Sequence, residues 1–131
     1  MSQLSDYAEV TLLNWLMNTT SVTRPTAWYL ALYTAAPSDA GGGTELSGNG
    51  YSRQAVTMGT ASGTSGNITN SNTVTFGPNT TSNWGTVTHA GIFDASSGGN
   101  LLWWGALTSS RTISVGDSLQ FAIGTVSLTL A

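Results

Sequence analysis

His89 is the first of the few residues in this sequence that could do chemistry. It is the only histidine in the chain, and Asp94 follows five positions later. A serine hydrolase would need these two side chains beside a nucleophilic serine. However, no G-x-S-x-G segment is present, and residues five apart on a strand point to opposite faces of the sheet. The sequence favours a structural histidine on a strand.

The carboxylates also give no pattern typical of an active site. Asp39 and Glu45 are the only close pair in a loop, and that loop is too rich in glycine to hold two glycosidase acids in fixed geometry. Asp94 and Asp117 lie in predicted turns, where aspartate is favoured for its local hydrogen bonds. The run Gly41–Gly43 lacks the G-K-[ST] ending of a phosphate loop. We therefore expect no catalytic residues, no metal site and no cofactor.

The composition narrows the classes of partner. Only 7% of the residues are charged, cysteine is absent, and three arginines supply all the basic charge outside the single histidine. Three scattered arginines do not make a nucleic-acid surface. No apolar run reaches the roughly 18–20 residues of a membrane helix, and no signal peptide opens the chain. A weakly charged surface is poorly protected against association, so we expect contacts with other protein subunits.

The segment Trp84–Leu107 is the element around which the chain is organised. Two apolar runs, Thr86–Phe93 and Leu101–Leu107, flank a short Asp/Ser/Gly/Asn connection, which predicts a β-hairpin. Because side chains alternate along a strand, the second run is predicted to present an apolar side chain to each face of the sheet. Each face must therefore pack against another part of the protein or another subunit. One face holds Leu101, Trp103 and Leu107, and the other holds Leu102, Trp104 and Ala106.

Leu4–Met17 is predicted to be the only helix. Asp6 followed by Glu9 resembles a capping box, with Ser5 as the alternative cap. An apolar stripe at helical spacing could dock on a partner or on the domain's own sheet, and the second is favoured because a lone helix usually covers its own sheet. The stripe consists of Leu4, Ala8, Leu12, Trp15 and Leu16.

The remaining chain reads as short strands joined by turns. We predict strands at Ala27–Thr34, Tyr51–Met58, Asn67–Phe76, Thr112–Val115, Leu119–Ile123 and Thr125–Leu130. With the hairpin they indicate a mainly β fold, an antiparallel, jelly-roll-like β-sandwich with one N-terminal α-helix. Residues 1–131 are expected to form a single domain, with the helix in 1–20 and the sandwich in 27–131. The long loop Ala35–Gly50 is either a contact loop to a neighbouring subunit or a flexible surface excursion.

The five tryptophans leave a ligand-binding alternative open. An exposed tryptophan on a sandwich can stack on a sugar, whereas buried ones fill a core or an interface. Trp103 and Trp104 must point to opposite faces, so we expect one in the core and the other at an interface or ligand.

Three segments carry a family resemblance: YLALYTAAP, GYSRQAV and WGTVTHAGIFDA. With them, Trp28 to Leu130 closely resembles a family of small tailed-bacteriophage virion proteins, often labelled phage tail fibre proteins, which includes head decoration or cement proteins. The resemblance implies a non-enzymatic structural protein of the virion, assembled in the host cytoplasm.

Two functional hypotheses follow from the resemblance. The first is a capsid decoration protein that binds the head surface as a homotrimer, with the major capsid protein or another virion protein as its partner. The alternative is a tail fibre, knob or adaptor that recognises a host surface glycan. No nucleic acid or membrane is expected as a partner. The candidate interface residues are Leu12, Trp15, Leu16, Asp39, Glu45, Tyr51, Trp103 and Trp104.

Overall fold

A computed structural model describes residues 3–61, 63–64 and 66–130. Residues 1, 2, 62, 65 and 131, which the single-domain prediction includes, lie outside the described residues. Within the described ranges the protein consists of one α-helix and ten strands. They are β1 (Gln3–Leu4), α1 (Asp6–Met17), β2 (Tyr29–Ala35), β3 (Thr44–Glu45), β4 (Gln54–Ala55), β5 (Asn67–Thr69), β6 (Val74–Phe76), β7 (Gly85–Phe93), β8 (Leu101–Ile113), β9 (Leu119–Phe121) and β10 (Ser127–Thr129).

The predicted hairpin forms the centre of a six-stranded antiparallel sheet. The strand order is β1-β8-β7-β2-β3, and β4 also pairs with β2. In the hairpin, Ala90 lies opposite Gly105 and Gly91 opposite Trp104. Strand β8 continues to Ile113, so the separate strand predicted at Thr112–Val115 is wrong: its first two residues still pair with β7.

A second layer covers one face of this sheet. It consists of two two-stranded sheets, β5 with β10 and β6 with β9. Leu32 of β2, Phe76 of β6 and Leu128 of β10 belong to one buried core cluster, so the layers pack in a sandwich-like arrangement. The predicted fold class, mainly β and antiparallel with a single helix, is confirmed for the described residues.

The strand predicted at Asn67–Phe76 is two strands, because Asn70 interrupts the pairing. The Asn70 side chain is 1% exposed. Its amide donates to the carbonyl oxygens of Asn72 and Ala122, and its Oδ1 accepts from the Val126 backbone N–H at 2.9 Å. A buried amide that satisfies three backbone groups replaces the regular ladder at this point.

Trp103 and Trp104 lie on opposite faces of the large sheet, as predicted. Trp103 packs against the main core, whereas Trp104 packs against a second cluster that contains Tyr33 and Phe93. Leu101 also belongs to the second cluster, so the prediction that it shares a face with Trp103 is wrong. The cause is a bulge: Ile92 pairs with Trp103 and Phe93 with Leu101, which leaves Leu102 as an extra residue.

Helix α1 is anchored at its start and becomes more exposed towards its end. Ser5, not Asp6, is the N-cap, because its Oγ accepts from the Ala8 N–H at 3.1 Å. The Ser5 hydroxyl also donates to the Leu101 carbonyl oxygen, and its backbone N–H donates to the Leu102 carbonyl oxygen. No residue of α1 is fully buried. In its apolar stripe Leu4, Ala8 and Leu12 are half-buried whereas Trp15 and Leu16 are exposed, so the stripe packs on the domain's own sheet only in its first part. Among the described residues no helix has the length and apolar character to cross a bilayer.

Candidate interaction surfaces

His89 and Asp94 make separate contacts. His89 Nδ1 lies 2.8 Å from Thr88 Oγ1, and its ring lies 6.3 Å from that of Trp104. The Asp94 carboxylate accepts from the backbone N–H of Asn100 at 2.7 Å and so closes the hairpin connection. In the described part of the chain no three His, Cys, Asp or Glu side chains come together as metal ligands.

Asp39 ties the long loop to two other elements. Its Oδ1 accepts from Trp104 Nε1 at 2.9 Å, and its backbone oxygen accepts from the Asp6 N–H at 2.9 Å. The predicted interface residues Asp39 and Trp104 are thus in contact with each other. Because its two hydrogen bonds join the loop to β8 and to the start of α1, Asp39 positions the helix on the sheet.

Glu45 is the centre of a second polar network. Arg53 Nε donates to Glu45 Oε1 at 2.7 Å and Arg53 Nη2 to Glu45 Oε2 at 2.8 Å, which is a bidentate ion pair. The hydrogen bond to Glu45 raises the pKa of Arg53, against an opposing effect of burial. The guanidinium also lies 3.5 Å from the centre of the Phe93 ring. These contacts hold the half-buried Glu45 side chain in place.

Tyr51 is held by the same network and by the core. Its hydroxyl donates to Glu45 Oε1 at 2.9 Å and accepts from the Leu32 N–H at 3.1 Å. Its ring stacks on Phe76 and meets Trp84 edge-on, with centroid distances of 6.0 and 5.8 Å. Burial, the larger cause, and the nearby Glu45 charge raise the pKa of the Tyr51 phenol. Of the predicted interface residues, Glu45 and Tyr51 are therefore occupied by internal contacts.

The helix presents a large unpartnered apolar surface, which we call the α1 apolar surface. Its members are Tyr7, Val10, Leu13, Trp15, Leu16 and Met17, which are 42–77% exposed. Leu12, also predicted, is half-buried. The only charged residues of α1, Asp6 and Glu9, lie in its first turn. There the positive end of the helix dipole stabilises their carboxylates.

Sequence reasoning missed four of the six residues of this surface, Tyr7 among them. It identified Trp15 and Leu16 but not Val10, Leu13 and Met17, whose spacing of three and then four residues places them along one line of the helix. That spacing was a readable signal.

A groove opens between the two layers of the fold, and we call it the β8–β9 groove. Its volume is about 400 Å³. Trp103, Leu107 and Arg111 line it from β8, Phe121 from β9 and Leu128 from β10. Trp103 was predicted as a candidate contact, whereas Arg111 and Phe121 were not, because nothing local in the sequence brings β9 next to β8.

A protein-family model described as "Podophage GP4 fiber I protein gp80" matches residues 3–129. No curated protein matches the chain.

Proposed function

The chain belongs to the gp80 family of podophage fibre proteins, and from this premise we propose that it is a fibre-type virion component that assembles through the α1 apolar surface. The observation that carries the proposal is the exposure of six large apolar side chains on a twelve-residue helix. Family membership supports a structural rather than an enzymatic role and a place in the virion.

The composition of α1 argues that this surface is covered in the assembled particle. A helix that is apolar on all sides is normally buried, and an isolated helix of this length is marginal in water. Within the described residues its hydrogen bonds to the rest of the fold lie at its start, from Ser5 to β8 and from Asp6 to Asp39. Burying a large apolar side chain contributes about 1.5–3 kcal/mol before the costs of association. Several such residues on one helix could therefore drive attachment.

We further propose that the first partner of this surface is a second copy of the chain. Val10, Leu13 and Met17 have the three-then-four spacing with which neighbouring helices pack their side chains. No charged residue follows Glu9 in the helix, so identical helices can meet along this line without like-charge repulsion. A cyclic homotrimer would bring three helices together at one axis without an open end.

The description of the family supports one location on the virion over the other. Because that description names a fibre, we favour attachment at the tail. A fibre role also leaves the rest of the surface available for recognising a host glycan. Capsid decoration, the first hypothesis from the sequence, is the second candidate, since a weakly charged surface and an exposed apolar helix would suit a capsid shell equally well.

Co-sedimentation with separated heads and tails from particles that lack this protein tests the proposal. We expect the wild-type protein to pellet with tails and the double variant Leu13→Asp, Met17→Asp to stay in the supernatant. Val115→Asp is the matched control, because Val115 is 52% exposed but lies outside α1. Circular dichroism should show that all variants keep the β fold.

Each outcome of this experiment discriminates between the candidates. Pelleting with heads instead of tails would favour capsid decoration. Pelleting of the helix variant as well as the wild type would contradict a role for α1. Failure of the wild-type protein to bind either fraction would contradict the attachment function as a whole.

A further inference from the structure

We infer that the β8–β9 groove is a binding site for an acidic sugar residue of a bacterial surface polysaccharide. The inference rests on the proposed fibre role, because it assigns a ligand to the surface that α1 leaves free. The groove volume of about 400 Å³ lies within the roughly 300–1,000 Å³ of small-ligand sites. Its lining combines an apolar floor, a polar rim and one charge.

The floor is aromatic and aliphatic. Trp103, Leu107 and Phe121 are half-buried, so each packs on the main core and still reaches the groove. The face of an aromatic ring carries partial negative charge, which attracts the slightly positive C–H groups on the face of a pyranose ring. An apolar floor of this kind can therefore support one face of a sugar.

The rim supplies hydroxyl groups. Thr108 and Ser109 line the groove, and no described residue hydrogen-bonds to either side chain. Ser127 Oγ accepts from Asn67 Nδ2 at 2.7 Å, which leaves its own proton free to donate. Hydroxyls around an apolar floor match a ligand with an apolar face and polar edges, which describes a sugar better than an acyl chain or an apolar peptide.

A bulge in β8 places Thr108 and Ser109 on this rim. Val87 pairs with Arg111 and His89 with Ala106, so four residues of β8 stand against Thr88 alone. This bulged segment includes Leu107, and three of its four residues line the groove. Bulges commonly redirect side chains next to binding sites.

Arg111 determines the charge of the ligand. It is exposed, no ion pair or side-chain hydrogen bond joins it to a described residue, and it is the only charged residue among those that line the groove. By contrast, Arg53 is paired with Glu45. In a chain with a net charge of −3 and no lysine, a free guanidinium beside an aromatic floor points to a carboxylate or phosphate on the sugar.

Titration of the purified protein with a hexamer of 1,4-linked uronic acid, followed by tryptophan fluorescence and calorimetry, tests this site. We expect saturable binding that Arg111→Gln weakens by about tenfold or more, because a charge-assisted hydrogen bond is lost. Arg24→Gln is the matched control, since it removes the same charge from an exposed residue outside the groove and should leave affinity unchanged. Ser109→Trp, which fills the rim at an exposed position, should block binding without a change in the core.

The result that overturns the inference is equally specific. No binding of the uronate, equal binding of a neutral hexamer of 1,4-linked glucose, or equal loss in Arg111→Gln and Arg24→Gln would each contradict it. If the protein binds glucose 6-phosphate but not the uronate, and Arg111→Gln abolishes that binding, the groove is still a site for an acidic sugar. The acidic group it recognises is then a phosphate. The groove variants keep α1 intact and should still pellet with virion parts, so failure of this site is distinguishable from failure of the attachment function.

Discussion

At the scale of single residues, long-range polar contacts decide which side chains are available to a partner. Arg53 Nη1 donates to the carbonyl oxygens of Ala95 and Gly98, which are 42 and 45 positions away in the chain, while its other nitrogens hold Glu45. No local pattern predicts such a partner, so the sequence could offer Glu45 only as a candidate interface residue. The split of Trp103 and Trp104, in contrast, follows from local alternation and was predictable.

The buried phenol of Tyr33 makes the stability of the fold sensitive to alkaline pH. Burial, the larger cause, and the negative charge of Glu45 raise the pKa of Tyr33 from 10.0 to about 12. Between these values the unfolded chain loses a proton that the folded chain keeps, so the free energy of unfolding should fall as pH rises from 10 towards 12. Below pH 10 this contribution is fully present. Urea unfolding followed by tryptophan fluorescence at a series of pH values measures the effect.

A phenylalanine variant isolates the Tyr33 contribution. Tyr33→Phe keeps the ring and removes the ionisable group, so stability should fall less steeply with pH above 10. Some slope should persist, because the pKa of Tyr51 is raised for the same reason. Tyr7→Phe is the control, since Tyr7 is 42% exposed on α1. An unchanged slope in Tyr33→Phe would show that this phenol is not what titrates.

At the scale of elements, periodicity predicted the β7–β8 hairpin because both apolar runs alternate and a turn-forming segment joins them. The same reasoning failed where β8 contains extra residues. Leu102 and the segment after Ala106 shift the register, and a bulge adds residues without changing the apolar character of the strand. The sequence predicted the position of helix α1 and the half-burial of Leu12, but not the exposure of Trp15 and Leu16, because helical periodicity does not say how far along its length a helix stays on the sheet.

Alanine substitutions at the two adjacent glycines of the hairpin connection should lower the free energy of unfolding by different amounts. Both have positive φ, +61° at Gly98 and +73° at Gly99, so alanine costs about 1–2 kcal/mol of conformational strain at either position. A Cβ at position 98 meets nothing within 4 Å, whereas one at position 99 would lie 2.5 Å from Asp94 Oδ1. We therefore expect Gly99→Ala to lower the free energy of unfolding more than Gly98→Ala, since it also displaces the Asp94 carboxylate from Asn100. Equal losses in chemical denaturation would contradict this view of the connection.

At the scale of the whole molecule, the fold leaves six large apolar side chains of α1 exposed on an otherwise weakly charged surface. If copies associate through α1, folding and assembly are linked, and the midpoint temperature of unfolding must rise with protein concentration. For a chain of this size we expect about 3–5 °C for each tenfold increase. Leu13→Asp with Met17→Asp should abolish the concentration dependence and give the mass of one chain in native mass spectrometry, whereas Val115→Asp should retain both the dependence and the wild-type mass. A wild-type midpoint that is constant over a hundredfold range of concentration, with the mass of one chain throughout, would contradict self-assembly and would leave another virion protein as the partner that covers α1.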